Sequence, residues 1–275
     1  MVTIDNLHFS YSRHTVFSGV TMKLEAGKIY GLLGQNGVGK TTLLKIISGL
    51  LRVKSGSCRV MEHNPFSREP GFLGELFFIP EDFVGPDMEV NKFARLRGEF
   101  YPNYDENKFS RLMTEFEVNG NEKFTRLSFG QQKKAIIAFA LSTNTKLILM
   151  DEPSNGLDIP SKAQLRRVIS QASSDETCII ISTHQVRDLE NLIDPIIILD
   201  KNGVLLNATI EEISKKLCFE LRALPGEGAI YNEPALGGYI VVDKNTSGEE
   251  CKVNIEGLFN TVLLNKKLIK DIFNN

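Results

Sequence analysis

Nine residues, Gly34-Gln35-Asn36-Gly37-Val38-Gly39-Lys40-Thr41-Thr42, restrict this chain more than any other stretch of it. The apolar run from Ile29 to Leu33 before them predicts a buried strand. Leu43, Leu44, Ile47 and Leu50 after them share one face of a helix running from Lys40 to Leu50. Strand, glycine-rich loop and helix in that order can cradle phosphate, because glycines let the backbone curl until successive N–H groups point inward, and the helix start adds the positive end of its dipole. Lys40 is then placed for the β- and γ-phosphates of a nucleotide, and the Thr41 hydroxyl for Mg²⁺. A glycine-rich turn ahead of an ordinary helix has the same composition. What separates the two readings is whether the rest of the chain supplies groups that face a phosphate.

Composition sets the frame. With 275 residues, 42% of them hydrophobic, the chain can bury the core of one large domain or of a domain with an extension. A net charge of −2 gives no basic footprint, so no nucleic-acid partner is expected. Cys58, Cys178, Cys218 and Cys251 form no Cys-x-x-Cys pair and are expected to be buried or incidental thiols of a reducing compartment. Neither a signal-like opening nor an apolar run of roughly eighteen residues occurs, which predicts a soluble, cytosolic protein.

Along the chain, Val2 to Ser10 and Val20 to Leu24 alternate as half-exposed strands. Tyr11, in the loop-like Ser10 to Arg13, is placed either to pack or to stack on a nucleotide base. Ser55 to Val60 predicts a turn entering a strand, and Phe77 to Ile79 a short strand ending at Pro80-Glu81-Asp82. Helical spacing follows over Val90 to Tyr101 and Glu106 to Phe116, a block inserted into an α/β core. Ser128 and Gln131 have the spacing of a capping box at a helix start, and Thr209 with Glu212 repeats it before a helix to Leu217.

The strand Lys146 to Met150 ends in Asp151-Glu152. Beside a phosphate loop, an Asp there suits Mg²⁺ and a Glu suits a water, although paired acids at a strand end are also often just solvated. A turn at Ser154 to Asp158 and a helix from Pro160 to about Ser173 come next. Cys178 to Ser182 is a further buried strand, leading to Thr183-His184, and the carboxyl end of a parallel strand is the ligand edge of an open α/β sheet. Asp194 to Leu199 is expected to be the last core strand. Beyond Cys218 glycines punctuate short strand-like pieces such as Tyr239 to Val242, and Ile255 to Phe273 predicts one amphipathic helix.

Assembled, these motifs resemble the ATP-binding subunit of an ABC transporter over about residues 1–217. The resemblance makes Gly34, Gln35, Asn36, Gly37, Val38, Gly39, Lys40, Thr41 and Thr42 the Walker A loop, and Tyr11 the adenine-stacking aromatic. Asp151 and Glu152 become the Walker B aspartate and catalytic glutamate, and His184 the switch histidine. Leu127, Ser128, Phe129, Gly130 and Gln131 match the signature that completes a partner subunit's site; Asn155, Gly156, Leu157 and Asp158 match the D-loop. Two departures stand out. Phe129 replaces a usual glycine and must find a place at the interface, and Glu81 stands at or within one residue of the position where a glutamine is usual.

The implied fold is α/β: a P-loop NTPase (RecA-like) core with an antiparallel β subdomain and an inserted helical subdomain at about 83–145. A small α+β extension follows over 218–275, an accessory or dimer-stabilising module. The implied cofactors are ATP and Mg²⁺, with Thr41, Asp151 and Glu81 on the metal. The implied partners are a second copy or a paired subunit, and a separately encoded membrane permease of the exporter type. That permease would hold the cytoplasmic subunit on the inner face of the membrane, with Phe83, Met88 and Phe93 lining the groove for one of its helices. A soluble mechanochemical ATPase is the alternative, disfavoured because neither a second cassette nor a long coiled coil is written in the sequence.

Overall fold

The computed structural model describes residues 1–201 and 203–273. The chain opens with β1 (Val2–Tyr11), β2 (His14–Leu24) and β3 (Ile29–Leu33), followed by α1 (Lys40–Ile47) and β4 (Ser55–Val60). A short α2 (Pro70–Leu73) leads to β5 (Leu76–Ile79). Then come α3 (Val90–Gly98), α4 (Glu106–Glu115) and α5 (Phe129–Ser142). Next are β6 (Leu147–Asp151), α6 (Ile159–Ala172), β7 (Cys178–Thr183), β8 (Ile196–Asp200), β9 (Gly203–Ala208) and α7 (Ile210–Lys216). The C-terminal portion holds β10 (Leu217–Arg222), β11 (Tyr231–Ala235), β12 (Gly238–Lys244), α8 (Ile255–Leu264) and α9 (Lys266–Phe273).

The central sheet has the order β5-β6-β7-β3-β8-β9, parallel from β5 to β8 and closed by the antiparallel β9. Its strands are almost continuously apolar because both faces are covered, as parallel strands require. Alternation sorts the side chains: Leu147 and Leu149 of β6 face a cluster with Leu43, Leu44 and Phe17, while Ile148 and Met150 face one with Phe139, Ile169 and Leu258. The first cluster is covered by α1 and the antiparallel sheet β2-β1-β4, and the second by the helical block, α6 and the C-terminal helices. The P-loop α/β core with an antiparallel subdomain is therefore the observed architecture.

Three expectations need correction. Asp194 to Leu199 does not supply the last core strand, since β9 pairs onto β8 (Ile196↔Ala208). The C-terminal amphipathic stretch is two helices, broken at Asn265, whose backbone leaves the helical region at φ −119°, ψ 42°. Helix α3 stops at Gly98, where a Cβ would lie 2.4 Å from the Tyr104 ring, so the chain turns back there.

Around Phe139 the helical block closes as an aromatic cluster. Its ring meets those of Phe77, Phe93, Tyr101, Tyr104 and Phe109 at centroid separations of 5.4–6.3 Å, mostly edge-on. Phe83 and Phe93 both stack edge-on against the fully buried Phe124, so two of the three residues expected to line a groove are spent in part on this core. The extension is not a separate body either. Val242, Val253, Ile255, Leu258, Val262 and Ile269 share one apolar cluster with Leu189, Ile196, Ile198 and Leu206 of the core.

Phe139→Ala is expected to lower the free energy of unfolding by about 3–5 kcal/mol, the range for emptying a buried ring site. Urea denaturation followed by circular dichroism measures it, and a loss below about 1 kcal/mol would show that the cluster closes without this ring.

Candidate functional site

The site gathers at the carboxyl ends of β3, β6 and β7, which the parallel register brings level: Leu33 pairs with Thr183, and Asp151 with Ser182. Backbone geometry fixes the phosphate loop. Gly37 and Gly39 sit at φ 80° and 109°, conformations that side chains oppose, and a Cβ on Gly39 would lie 2.7 Å from Val16 and 2.8 Å from Phe17. Gly34 needs its missing side chain for space, since a Cβ there would meet Val38 at 2.7 Å. Gln35, Asn36 and Gly37 form an exposed tip, and Thr42 is buried on α1. Lys40, almost enclosed, donates to Gly34 O at 2.8 Å and to Gln35 O at 3.4 Å, so its ammonium lies along the loop.

Two segments 110 residues apart are joined where the Thr41 hydroxyl donates to Asp151 Oδ2 at 2.7 Å. The other carboxylate oxygen of Asp151 accepts from Ser182, which also accepts from Glu152 N at 3.1 Å. Ser182 was missed by sequence reasoning, because a serine inside an apolar run carries no local signal. Glu152 is held at its N–H, its carbonyl and one carboxylate oxygen. Its backbone sits at φ 46°, a strained position for a residue with a side chain, of the sort that persists only where the surroundings fix it. Its Oε1 lies 2.8 Å from His184 Nδ1 and 3.6 Å from Lys40 Nζ, and its buried Oε2 makes no hydrogen bond.

Lys133 is the second residue the sequence did not disclose. Fully buried on α5, it donates to Glu152 O at 2.8 Å and to Asn155 O at 3.2 Å. Burial pulls its basicity below the ordinary lysine value, opposed by the carboxylates of Glu81 and Glu152. The Phe129 ring lies 5.1 Å from the same ammonium, and a Cβ on Gly156 would sit 2.7 Å from that ring. Phe129 thus packs within its own chain, against the turn at Gly156. Lysine at a helical position is usually a solvated residue, so only the fold shows this one joining the signature helix to the turn after β6.

The remaining signature and D-loop residues fall on two helix starts. Ser128 caps α5, its hydroxyl accepting from Gln131 N at 3.2 Å while the Gln131 amide oxygen accepts from Ser128 N at 3.0 Å. Leu127 is buried beneath them, Ser128 is exposed, and Gly130 leaves the face open, since a Cβ there would meet nothing closer than 3.4 Å. Asp158 caps α6 through Ser161 N at 3.0 Å; the Ser161 hydroxyl, and after it this N–H, lower its pKa, and Leu157 is buried. Glu81 accepts from Asn155 Nδ2 at 2.9 Å, so its carboxylate is engaged with the D-loop. Tyr11 ends β1 half-exposed, its hydroxyl 3.4 Å from Thr42 Oγ1 and its ring edge-on to Phe9, beside the phosphate loop.

A glycine-rich loop between strand and helix, with an aspartate from another strand of the same sheet on its threonine, defines a P-loop NTPase. Residues 17–155, about half the chain, match the family model described as ABC transporter. The lantibiotic transport ATP-binding protein SrtF of Streptococcus pyogenes is 29% identical over 97% of this chain and 99% of its own length. A structure of an ATP-binding subunit of an ABC transporter superposes with a TM-score of 0.71 at 24% identity, over 78% of this chain and 91% of that one. A dimeric ATP-binding cassette in a post-hydrolysis state with ADP and Pi gives 0.67 at 20% identity, over 76% and 98%. The chain belongs to the ABC transporter family; it is an ATP-binding domain of that family and an ATPase.

Two outcomes follow from this geometry. Tyr11→Ala should weaken ATP binding by about 1–3 kcal/mol, the range for base–aromatic stacking, and Tyr11→Phe should leave it nearly unchanged; equal losses in a fluorescent-nucleotide titration would assign the effect to the hydroxyl. Lys133→Met keeps the stem but takes the donor from Asn155 O and leaves Glu152 O with Asn155 N alone, and should cost about 1–3 kcal/mol of stability in thermal or urea unfolding.

Proposed function

We propose that the protein binds Mg-ATP, closes head to tail with a second cassette and drives a separate membrane permease. The observation that carries this reading is the open helix start at Ser128 and Gly130. It is a capped, exposed anion site on a different element from the loop that holds Lys40. Its complement in the proposed dimer is the γ-phosphate on the partner's phosphate loop, so each ATP is bridged by two subunits. The dimeric form of the cassette that this fold resembles supports it. The name of a relative matched over nearly the full length of both chains supports transport as the work done.

Among the described residues no group of three or more His, Cys, Asp and Glu is arranged to hold a metal. The oxygens of Thr41 and Asp151 nonetheless suit a hard divalent ion shared with phosphate. These two residues would hold Mg²⁺, with Glu81 near it only on release from Asn155. Bound there, Mg²⁺ would neutralise charge on the phosphates. Lys40 binds the β- and γ-phosphates by exchanging the loop's own carbonyls for them. Glu152 takes a water on its unbonded Oε2 and draws its proton during in-line attack, while His184 holds the other carboxylate oxygen and fixes the angle of the group. Tyr11 stacks on the base.

Movement at the dimer interface reaches the permease through the helical block, and the permease alone keeps the subunit at the inner face of the membrane. Among the described residues no helix is long and apolar enough to cross a membrane.

Glu152→Gln is expected to reduce the turnover number by roughly 10²–10⁴-fold, the usual contribution of a general base, without weakening ATP binding. The variant should run as a dimer in size-exclusion chromatography with Mg-ATP, and adding Lys40→Ala should return it to monomer. Turnover at the parent rate would remove the role of Glu152, and an inactive variant that stays monomeric in saturating ATP would count against closure by this chain alone. Purification with a multi-span membrane protein in fixed proportion tests the permease.

A further inference from the structure

The four cysteines, expected to be buried or incidental thiols, are all free, and two of them lie side by side. Cys58 and Cys178 are buried on β4 and β7, and burial pushes each thiol up to about 12. Cys218 on β10 and Cys251 in the segment leading to α8 are both partly exposed, and their sulfurs lie 2.6 Å apart across 33 residues of chain. We propose that Cys218 and Cys251 are a reversible thiol–disulfide site whose oxidant is a small disulfide of the glutathione class.

The approach is built by the surrounding chain. Cys218 stands opposite Asp243 in the β10–β12 ladder, which fixes where its side chain leaves the sheet. After β12, Asn245 folds the returning loop. Its N–H donates to Lys216 O, its side-chain amide donates to Ser214 O and Glu249 O, and its Oδ1 accepts from Ser247 N and Gly248 N. Gly248 makes the turn at φ 74°. Cys251 is thereby delivered to Cys218, and the buried Val253 and Ile255 anchor the chain just beyond. Each sulfur also has its own route to solvent. Cys218 lines an open cleft of about 550 Å³ with Glu220, Asp243 and Lys244, and Cys251 lines another of the same volume with Glu190 and Asp194.

Enclosure, followed by the bond to Cys251, pushes Cys218 up to about 12, which disfavours its thiolate. The Cys251 thiolate attacks one sulfur of the reagent disulfide; the reagent S–S bond breaks and one reagent thiolate leaves, taking up a proton. Cys218 then loses its proton and attacks the Cys251 sulfur of the mixed disulfide, and the second reagent thiolate leaves and is protonated. The protein loses two electrons and two protons, and one disulfide becomes two thiols. A disulfide of this transient kind is what a reducing compartment permits. Once closed, it ties β10 to the chain four residues ahead of α8, whose Leu258 and Val262 share a core with Val186 and Leu189, just beyond His184.

The test is oxidation of the full chain with excess oxidised glutathione, alkylation of remaining thiols under denaturing conditions, and peptide mapping without reduction. The expected result is one bond, between Cys218 and Cys251 of the same molecule, reversed by dithiothreitol and absent from Cys218→Ser and Cys251→Ser, with Cys58 and Cys178 recovered as thiols. Closing a loop of this length should also raise the melting temperature of the parent by about 4–16 °C, and leave that of Cys251→Ser unchanged. Oxidation that stops at the mixed disulfide, links two molecules, or leaves both thiols open to alkylation overturns the proposal.

Discussion

Everything at this site depends on one carboxylate. Asp151 accepts from Thr41 on the phosphate loop and from Ser182 on the neighbouring strand, so the loop, β6 and β7 are held at one level by a residue almost wholly out of water. A buried carboxylate is costly unless its lone pairs are filled, and here they are filled by the phosphate loop's own helix and by β7. Were β6 to slip by one residue, Asp151 would turn to the opposite face and both hydrogen bonds would be lost together. The apolar alternation of β6 protects against that slip, since Leu147 and Leu149 belong to one core and Ile148 and Met150 to the other.

A second tier of contacts ties the backbone of Glu152 to the first turns of α5. Lys133 reaches from the signature helix to the carbonyls of Glu152 and Asn155, and Phe129 lies against Gly156 on the other side of the same ammonium. Phe129 is where this chain departs from the family pattern, and the departure adds a contact inside the subunit. Force applied to the start of α5 therefore reaches the backbone of Glu152 through one side chain.

Local pattern was enough for the phosphate loop, the two capping boxes at Ser128 and Thr209, and the apolar strands that end in Asp151 and Thr183. Each of these is written in neighbouring residues: a glycine spacing, an S-x-x-Q or T-x-x-E tetrad, a run of Ile and Leu. The remainder was hidden for one physical reason, which is that it depends on residues far apart in sequence. Ser182 carries meaning only once Asp151 stands beside it, Lys133 only once the turn after β6 closes over it, and Cys218 only once the loop held by Asn245 returns. Strand β9 escaped notice because Gly203 to Ala208 is only partly apolar, and its place at the sheet edge is decided by pairing with β8. The break at Asn265 was invisible to periodicity, because the apolar face carries on across it at nearly the same angle.

The shared core of cassette and extension has a consequence for how the chain comes off the ribosome. Leu189, Ile196, Ile198 and Leu206 are synthesised well before Leu258 and Val262, the residues that cover them. For the seconds that some fifty residues take to be made, at about 5–20 residues per second, the nascent sheet carries an uncovered apolar face on the side away from the phosphate loop's own helix. During that interval the growing chain exposes an apolar surface that the finished protein no longer displays.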